Sequence, residues 1–150
     1  MRKTFGIVGL LALTLALGAC TQTTTATYKS ELKGQNENPP VVTSATGTAT
    51  ATLRADGTLV INGSFKDLSS QLATAVGGGV HLHIGAPGVN GEVVSALSVQ
   101  AASDLLSGTF SGEVKLDAEQ KAALEAGNLY INVHSVTHTS GEIRGQLVKQ

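Results

Sequence analysis

The chain has 150 residues, of which 41% are hydrophobic and 3% aromatic, with one cysteine and a formal net charge of −1. That is the size of one domain with a core of its own. A near-neutral charge without a basic stripe excludes a nucleic-acid binder, and the scarcity of rings excludes a carbohydrate platform of stacked Trp and Tyr.

Arg2 and Lys3 precede an almost unbroken apolar run from Phe5 to Leu17. The run is too short to span a bilayer comfortably and has the length of a signal-peptide core. It ends in Leu17-Gly18-Ala19-Cys20, which resembles the lipobox of bacterial lipoproteins: an aliphatic residue, two small ones, then cysteine. The resemblance implies cleavage before Cys20 and lipid on its thiol. Residues 1–19 are thus predicted to be a lipoprotein signal peptide. The mature protein is expected to be exported and held at a membrane of the cell envelope through Cys20. Thr21 stands where an aspartate would retain a lipoprotein at the inner membrane, which implies the outer membrane in an organism that has one. With its only thiol lipidated, the chain has no cysteine for a disulfide, a thiolate metal site or a nucleophile. Removing Arg2 and Lys3 from the ten basic side chains leaves eight against eleven acidic ones, a net charge of −3.

Residues 20–27 are threonine-rich and read as a flexible tether. A weak strand begins at Tyr28 and ends by Lys33-Gly34, and the double proline Pro39-Pro40 marks a loop. From Ser44 to Leu53, alanine and glycine alternate with threonine, the period of a strand with a small-residue face. Asp56-Gly57 is a hairpin turn leading into a strand through Leu59, Ile61 and Phe65, with Asn62-Gly63 as a candidate bulge. Lys66 to Gly79 is a loop, and Val80 to Ile84 a strand. The glycines of Gly85–Gly91 do not form a dinucleotide fingerprint, because the extended Glu92-Val93-Val94 follows where a helix is required. Leu97 to Asp104 is ambiguous, and Ser107 to Leu116 alternates as a strand. Asp117 and Gln120 fit a capping box that opens one short helix near 117–125, ending by Gly127. A hairpin from Leu129 to Val148 closes the domain. The pattern predicts an all-β fold, an antiparallel sandwich or barrel with one small helix.

Several segments together resemble the CHRD domain, the module named after chordin and also found in bacterial exported proteins. They are Glu37-Asn38-Pro39-Pro40, Gly47, His81-Leu82-His83-Ile84-Gly85 and Gly88-Val89-Asn90-Gly91-Glu92-Val93-Val94. Leu124 to His134 and Gly141-Glu142-Ile143-Arg144-Gly145-Gln146-Leu147 complete the set. The resemblance spans nearly the whole mature chain, so residues 28–150 are expected to be one CHRD domain. Asn38 departs from it, standing where the family more often carries an aliphatic residue. The resemblance implies an immunoglobulin-like or Cu,Zn-superoxide-dismutase-like β-sandwich and says little about activity.

Alternation puts Val80, Leu82 and Ile84 on one face and His81 and His83 on the other, roughly 6.5–7 Å apart along the strand. His134 stands opposite Ile131 and Val133 in the same way. If the two strands are neighbours, three imidazoles converge on the outer surface, a set suited to copper or zinc. The His-X-His strand and the late Val133-His134 are similar to the copper side of Cu,Zn superoxide dismutases. That resemblance implies His81, His83 and His134 as ligands and Arg144 as a cation guiding anions to the metal. His138 and Glu142 are accessory candidates. The zinc half of that pattern is missing: no histidine shortly follows Gly91, and there is no disulfide pair. The alternative is that the histidines bond one another, Glu142 or loop carbonyls, and staple the Gly85–Gly91 loop to the sheet. Ser135 falls on the face opposite His134, so no nucleophile–base pair forms and no catalytic residue is assigned.

Two readings of function follow. One is a lipid-anchored, non-catalytic binding or structural module of the envelope. The other is an envelope protein that holds copper or zinc on three histidines. The membrane is a partner through Cys20; the sequence names no protein partner.

Overall fold

The computed structural model describes residues 23–150, so Cys20 and the expected signal peptide lie outside the described residues. Among the described residues ten strands form: β1 (Thr24–Lys33), β2 (Thr46–Arg54), β3 (Thr58–Lys66), β4 (Val80–Ile84), β5 (Glu92–Ala96), β6 (Ser98–Ala101), β7 (Gly108–Lys115), β8 (Leu129–Ser135), β9 (His138–Gln146) and β10 (Val148–Lys149). A short 3₁₀ turn, Gly34–Asn36, follows β1, and the helix α1 (Ala118–Glu125) precedes β8. The strands pair antiparallel in the order β5-β4-β8-β9-β1-β2-β3-β7-β6, with β10 beside β1. β5 and β6, the two ends of that order, are joined by the buried Leu97 alone. The sheet therefore curls on itself into a nearly closed barrel, the all-β antiparallel architecture expected.

The alternating pattern selects the inner face. Ala49, Ala51 and Leu53 of β2 and Leu59, Ile61 and Phe65 of β3 point into the core, where they meet Leu82, Ile131, Val133 and Ile143. α1 is capped as the sequence indicates. The Asp117 carboxylate accepts the Gln120 N–H at 2.8 Å, and the Gln120 side chain accepts the Asp117 N–H at 3.2 Å. Leu124 is its one buried residue, so the helix is an edge element rather than a layer.

Three expectations change. β1 starts at Thr24, four residues inside the stretch read as a tether, with Ala26 opposite Leu53 and Thr27 opposite Thr52. β-branched threonines suit an extended strand, and the end of β2 offers them a partner. Gly63 is not a bulge, since the register of β3 runs unbroken on both sides. A Cβ there would fall 2.2 Å from the Phe110 ring, so the glycine makes room for that ring.

The third change matters most for function. All seven residues of β8 are buried, as are Val80 to His83 of β4. The polar face read as an outer surface is covered by loops. The 67–79 loop pairs with the end of β8 through Ala73 N–H to His134 O, 3.0 Å, and His134 N–H to Gly79 O, 2.8 Å. The 85–91 loop is drawn down by Arg144. An alternating strand pattern identifies two faces, but a long loop can bury the polar one.

Candidate metal centre

β4 and β8 are neighbours in register, with His81 opposite Asn132 and His83 opposite Tyr130. His134 follows Val133 just before β9 returns. The three imidazoles therefore face the same covered space, with 4%, 8% and 5% of their surface exposed for His81, His83 and His134. One nitrogen from each lies within 4.8 Å of the other two. The ring centroids are 4.9 Å apart for His81 and His134, 5.7 Å for His81 and His83, and 6.2 Å for His83 and His134.

The second nitrogen of each ring is held by a backbone carbonyl from a different covering segment. His81 Nε2 is 3.2 Å from Gly77 O, His83 Nδ1 is 3.1 Å from Gly91 O, and His134 Nδ1 is 3.0 Å from Thr139 O. A carbonyl only accepts, so with the proton on each of these nitrogens a neutral ring leaves its other nitrogen as a bare lone pair. Those lone pairs are His81 Nδ1, His83 Nε2 and His134 Nε2. His83 Nε2 is buried and has no hydrogen-bond partner. His81 Nδ1 and His134 Nε2 stand 3.0 Å apart, where two lone pairs repel unless a proton or a cation lies between them. Burial, followed by the neighbouring His81, pushes His134 down to about 4, and burial also lowers His83. His83 and His134 thus favour their neutral, ligating form near neutral pH. Fixing the far nitrogen of an imidazole while baring the near one is how proteins orient metal-ligating histidines.

The surroundings of this centre are polar and interlocked. Tyr130 stacks on His83 at 4.9 Å and 12°, and its hydroxyl accepts the Gly91 N–H at 3.1 Å. Arg144 lies 4.1 Å over the Tyr130 ring. It donates to Asn90 Oδ1 at 3.1 Å, to Val89 O at 3.1 Å and to Ala86 O at 3.5 Å. It is 1% exposed, so it cannot guide anions from solvent as the dismutase resemblance implied; it staples the 85–91 loop instead. Glu142, the accessory candidate, is likewise a buried group. Its Oε1 accepts from Thr43 Oγ1 at 2.6 Å and from Ser69 N–H at 2.8 Å. Burial alone would raise its pKa, yet these bonds hold the carboxyl below the usual range. The Ser135 hydroxyl lies outside strict hydrogen-bond geometry but close enough to help. Half-buried His138 opens β9 opposite Ser135 and does not join the three-histidine cluster.

Glu37 and Asn132 were not among the site candidates drawn from the sequence. Both are buried, and Glu37 Oε1 and Asn132 Oδ1 lack partners. They crowd over Gly141, where a Cβ would lie 2.5 Å from the Asn132 amide and 2.8 Å from Glu37 Oε1; φ of +132° also demands glycine there. Burial pushes Glu37 up to about 7, with Arg144 pulling the other way. A carboxyl that holds its proton more tightly when folded loses stability as pH rises from its ordinary 4.5 to about 7. Glu37→Gln cannot ionise. Its stability relative to the parent is therefore expected to grow from pH 4.5 and level off above pH 7, read from denaturant midpoints. A difference that stays constant over that range would contradict the raised value. His134 gives the opposite slope, stability rising between about 4 and 6.5, but it is common to both proteins and cancels. In the sequence Glu37 stands just before Asn38-Pro39-Pro40, with no local sign of burial. Its burial depends on the loop fold, which local pattern does not give.

A groove of about 970 Å³ lies elsewhere, between the loops bearing Asn38 and Pro87, over the outer side of β1 and β2. None of the three histidines lines it. Among the described residues no helix is long and apolar enough to cross a membrane.

Comparison with known proteins returned no match among curated proteins and none among solved structures. The CHRD domain matches residues 28–147, from the middle of β1 to the residue after β9, and takes in all three histidines and the loops that clamp them. On that match, the chain belongs to the CHRD-domain family.

Proposed function

We propose that this protein is a metal-binding lipoprotein of the bacterial cell envelope that holds one copper or zinc ion on His81, His83 and His134 and catalyses no reaction itself. The observation that carries this reading is that one nitrogen from each of the three rings lies within 4.8 Å of the other two, while one nitrogen of each ring is held by a backbone carbonyl. Three neutral imidazoles suit copper and zinc, whereas calcium and magnesium need oxygen ligands. When bound, the ion would supply the positive charge that reconciles the facing lone pairs of His81 and His134. The chain's own contribution is to pre-orient the ligands and shut water out.

Calorimetric titration of the purified, tag-free protein with Zn(II) and Cu(II) tests the reading. One ion per chain is expected in the parent and none in His83→Ala. Absence of binding beyond that of a surface-histidine control sinks it and leaves the histidines as staples for three loops.

Anchoring rests on Leu17-Gly18-Ala19-Cys20 and on β1 beginning at Thr24, which leaves a short link between lipid and barrel. Cys20→Ser is expected to abolish palmitate labelling and move the protein out of the membrane fraction. Unchanged labelling would place the lipid elsewhere.

A further inference from the structure

The identity of the ion follows from charge and coordination number. Resting on the three-histidine reading above, we infer that the site is built for cuprous copper in preference to a divalent ion.

The ligand set is three neutral nitrogens with no anionic donor. The groups behind it are neutral as well: Gly77, Gly91 and Thr139 each present a backbone carbonyl, and none of the three rings is backed by a carboxylate. A carboxylate in that position raises the basicity of an imidazole and offsets part of the charge of a dication. Here that compensation is absent. The Glu142 carboxylate accepts from Thr43 and Ser69 through Oε1, its Oε2 is buried without a partner, and it bonds none of the three rings. The guanidinium of Arg144 adds positive charge on the far side of Tyr130, whose ring stacks on His83.

The rings are 4–8% exposed, and His83 Nε2 is out of reach of solvent. The cost of moving an ion from water into such a place grows with the square of its charge, about fourfold from a monocation to a dication. Coordination points the same way. Zn(II) takes four ligands, the fourth a water where the protein supplies three, and Cu(II) favours a tetragonal set. Cu(I) is a monocation with a filled d shell and is content with three donors, which is what these strands present.

The test uses the purified full-length protein in detergent, under anaerobic conditions. Cu(I) affinity is measured by competition with a chromogenic cuprous chelator, and Zn(II) affinity with a zinc chelator at the same pH. The expected result is a Kd for Cu(I) at least 100-fold below that for Zn(II). X-ray absorption of the copper-loaded parent should show a cuprous edge with three nitrogen neighbours. This spectrum needs no variant, so it is independent of whether a histidine substitution folds. Zn(II) bound as tightly as Cu(I), or copper found with a fourth or fifth ligand, overturns the preference and leaves the metal site standing. Binding of neither ion overturns the preference and the metal reading together.

Discussion

At a free copper or zinc concentration a thousand times its dissociation constant, the unfolding midpoint is expected to rise by roughly 12–16 °C, and His83→Ala is expected to abolish that rise. A ligand that binds only the folded state at this ratio stabilises it by about 4 kcal/mol. For a domain between the size classes usually tabulated, each kcal/mol is worth roughly 3–4 °C. The unfolded chain has no preformed site: His81 and His134 are 53 positions apart and come within 3.0 Å only through the pairing of β4 with β8. The measurement is a thermal scan of parent and variant with and without metal. An unchanged midpoint for the parent would count against the site. An equal rise in His83→Ala would move the ion to another group, such as the half-buried His138.

Arg144→Met is expected to cost about 3 kcal/mol, or roughly 10 °C in midpoint, with the loss centred on the 85–91 loop. Methionine keeps much of the volume and a contact with Tyr130, so a cavity is not the main term. What goes is a set of donors: Asn90 Oδ1, Val89 O and Ala86 O lose their guanidinium partner in part-buried hydrogen bonds. Hydrogen bonds to a charged group are worth about 1.5–3 kcal/mol each, and part is regained because water reaches the exposed Val89 and Asn90. Arg144→Lys should recover little, since one ammonium cannot reproduce a fork that reaches a side-chain amide and two carbonyls at once. Denaturant melts and limited proteolysis across 85–91 read the effect. A loss under 1 kcal/mol with the loop still protected would show that the loop is held by other contacts, such as Gln146 to Gly85 O at 3.1 Å.

The barrel was legible because its strands alternate and its turns carry their usual residues. Asp56-Gly57 marks one hairpin, and the Asp117–Gln120 box opens the helix where expected. The histidines were legible as a same-face set because period two is independent of long-range structure. Their burial was not. Polar residues on alternate positions normally mean water, and only the fold shows that the 67–79 and 85–91 loops lie over them. The same gap explains Glu142 and Arg144, which read as surface charges and prove to be buried anchors. It explains Glu37 too, since nothing local distinguishes an acid in an exposed loop from one turned beneath Gly141. The early start of β1 was missed for another reason, that a run of threonines satisfies both a spacer and a strand.

Leu97 has a consequence for self-association. A sheet with free margins is a template for another copy. In this chain both margins belong to consecutive short strands, five residues of β5 and four of β6, separated by one buried leucine. The two short strands follow each other end to end through Leu97, so neither leaves a long row of free backbone groups. A neighbouring molecule finds no long flat border on which to add a strand. A barrel left slightly open can then resist self-assembly almost as well as a sealed one.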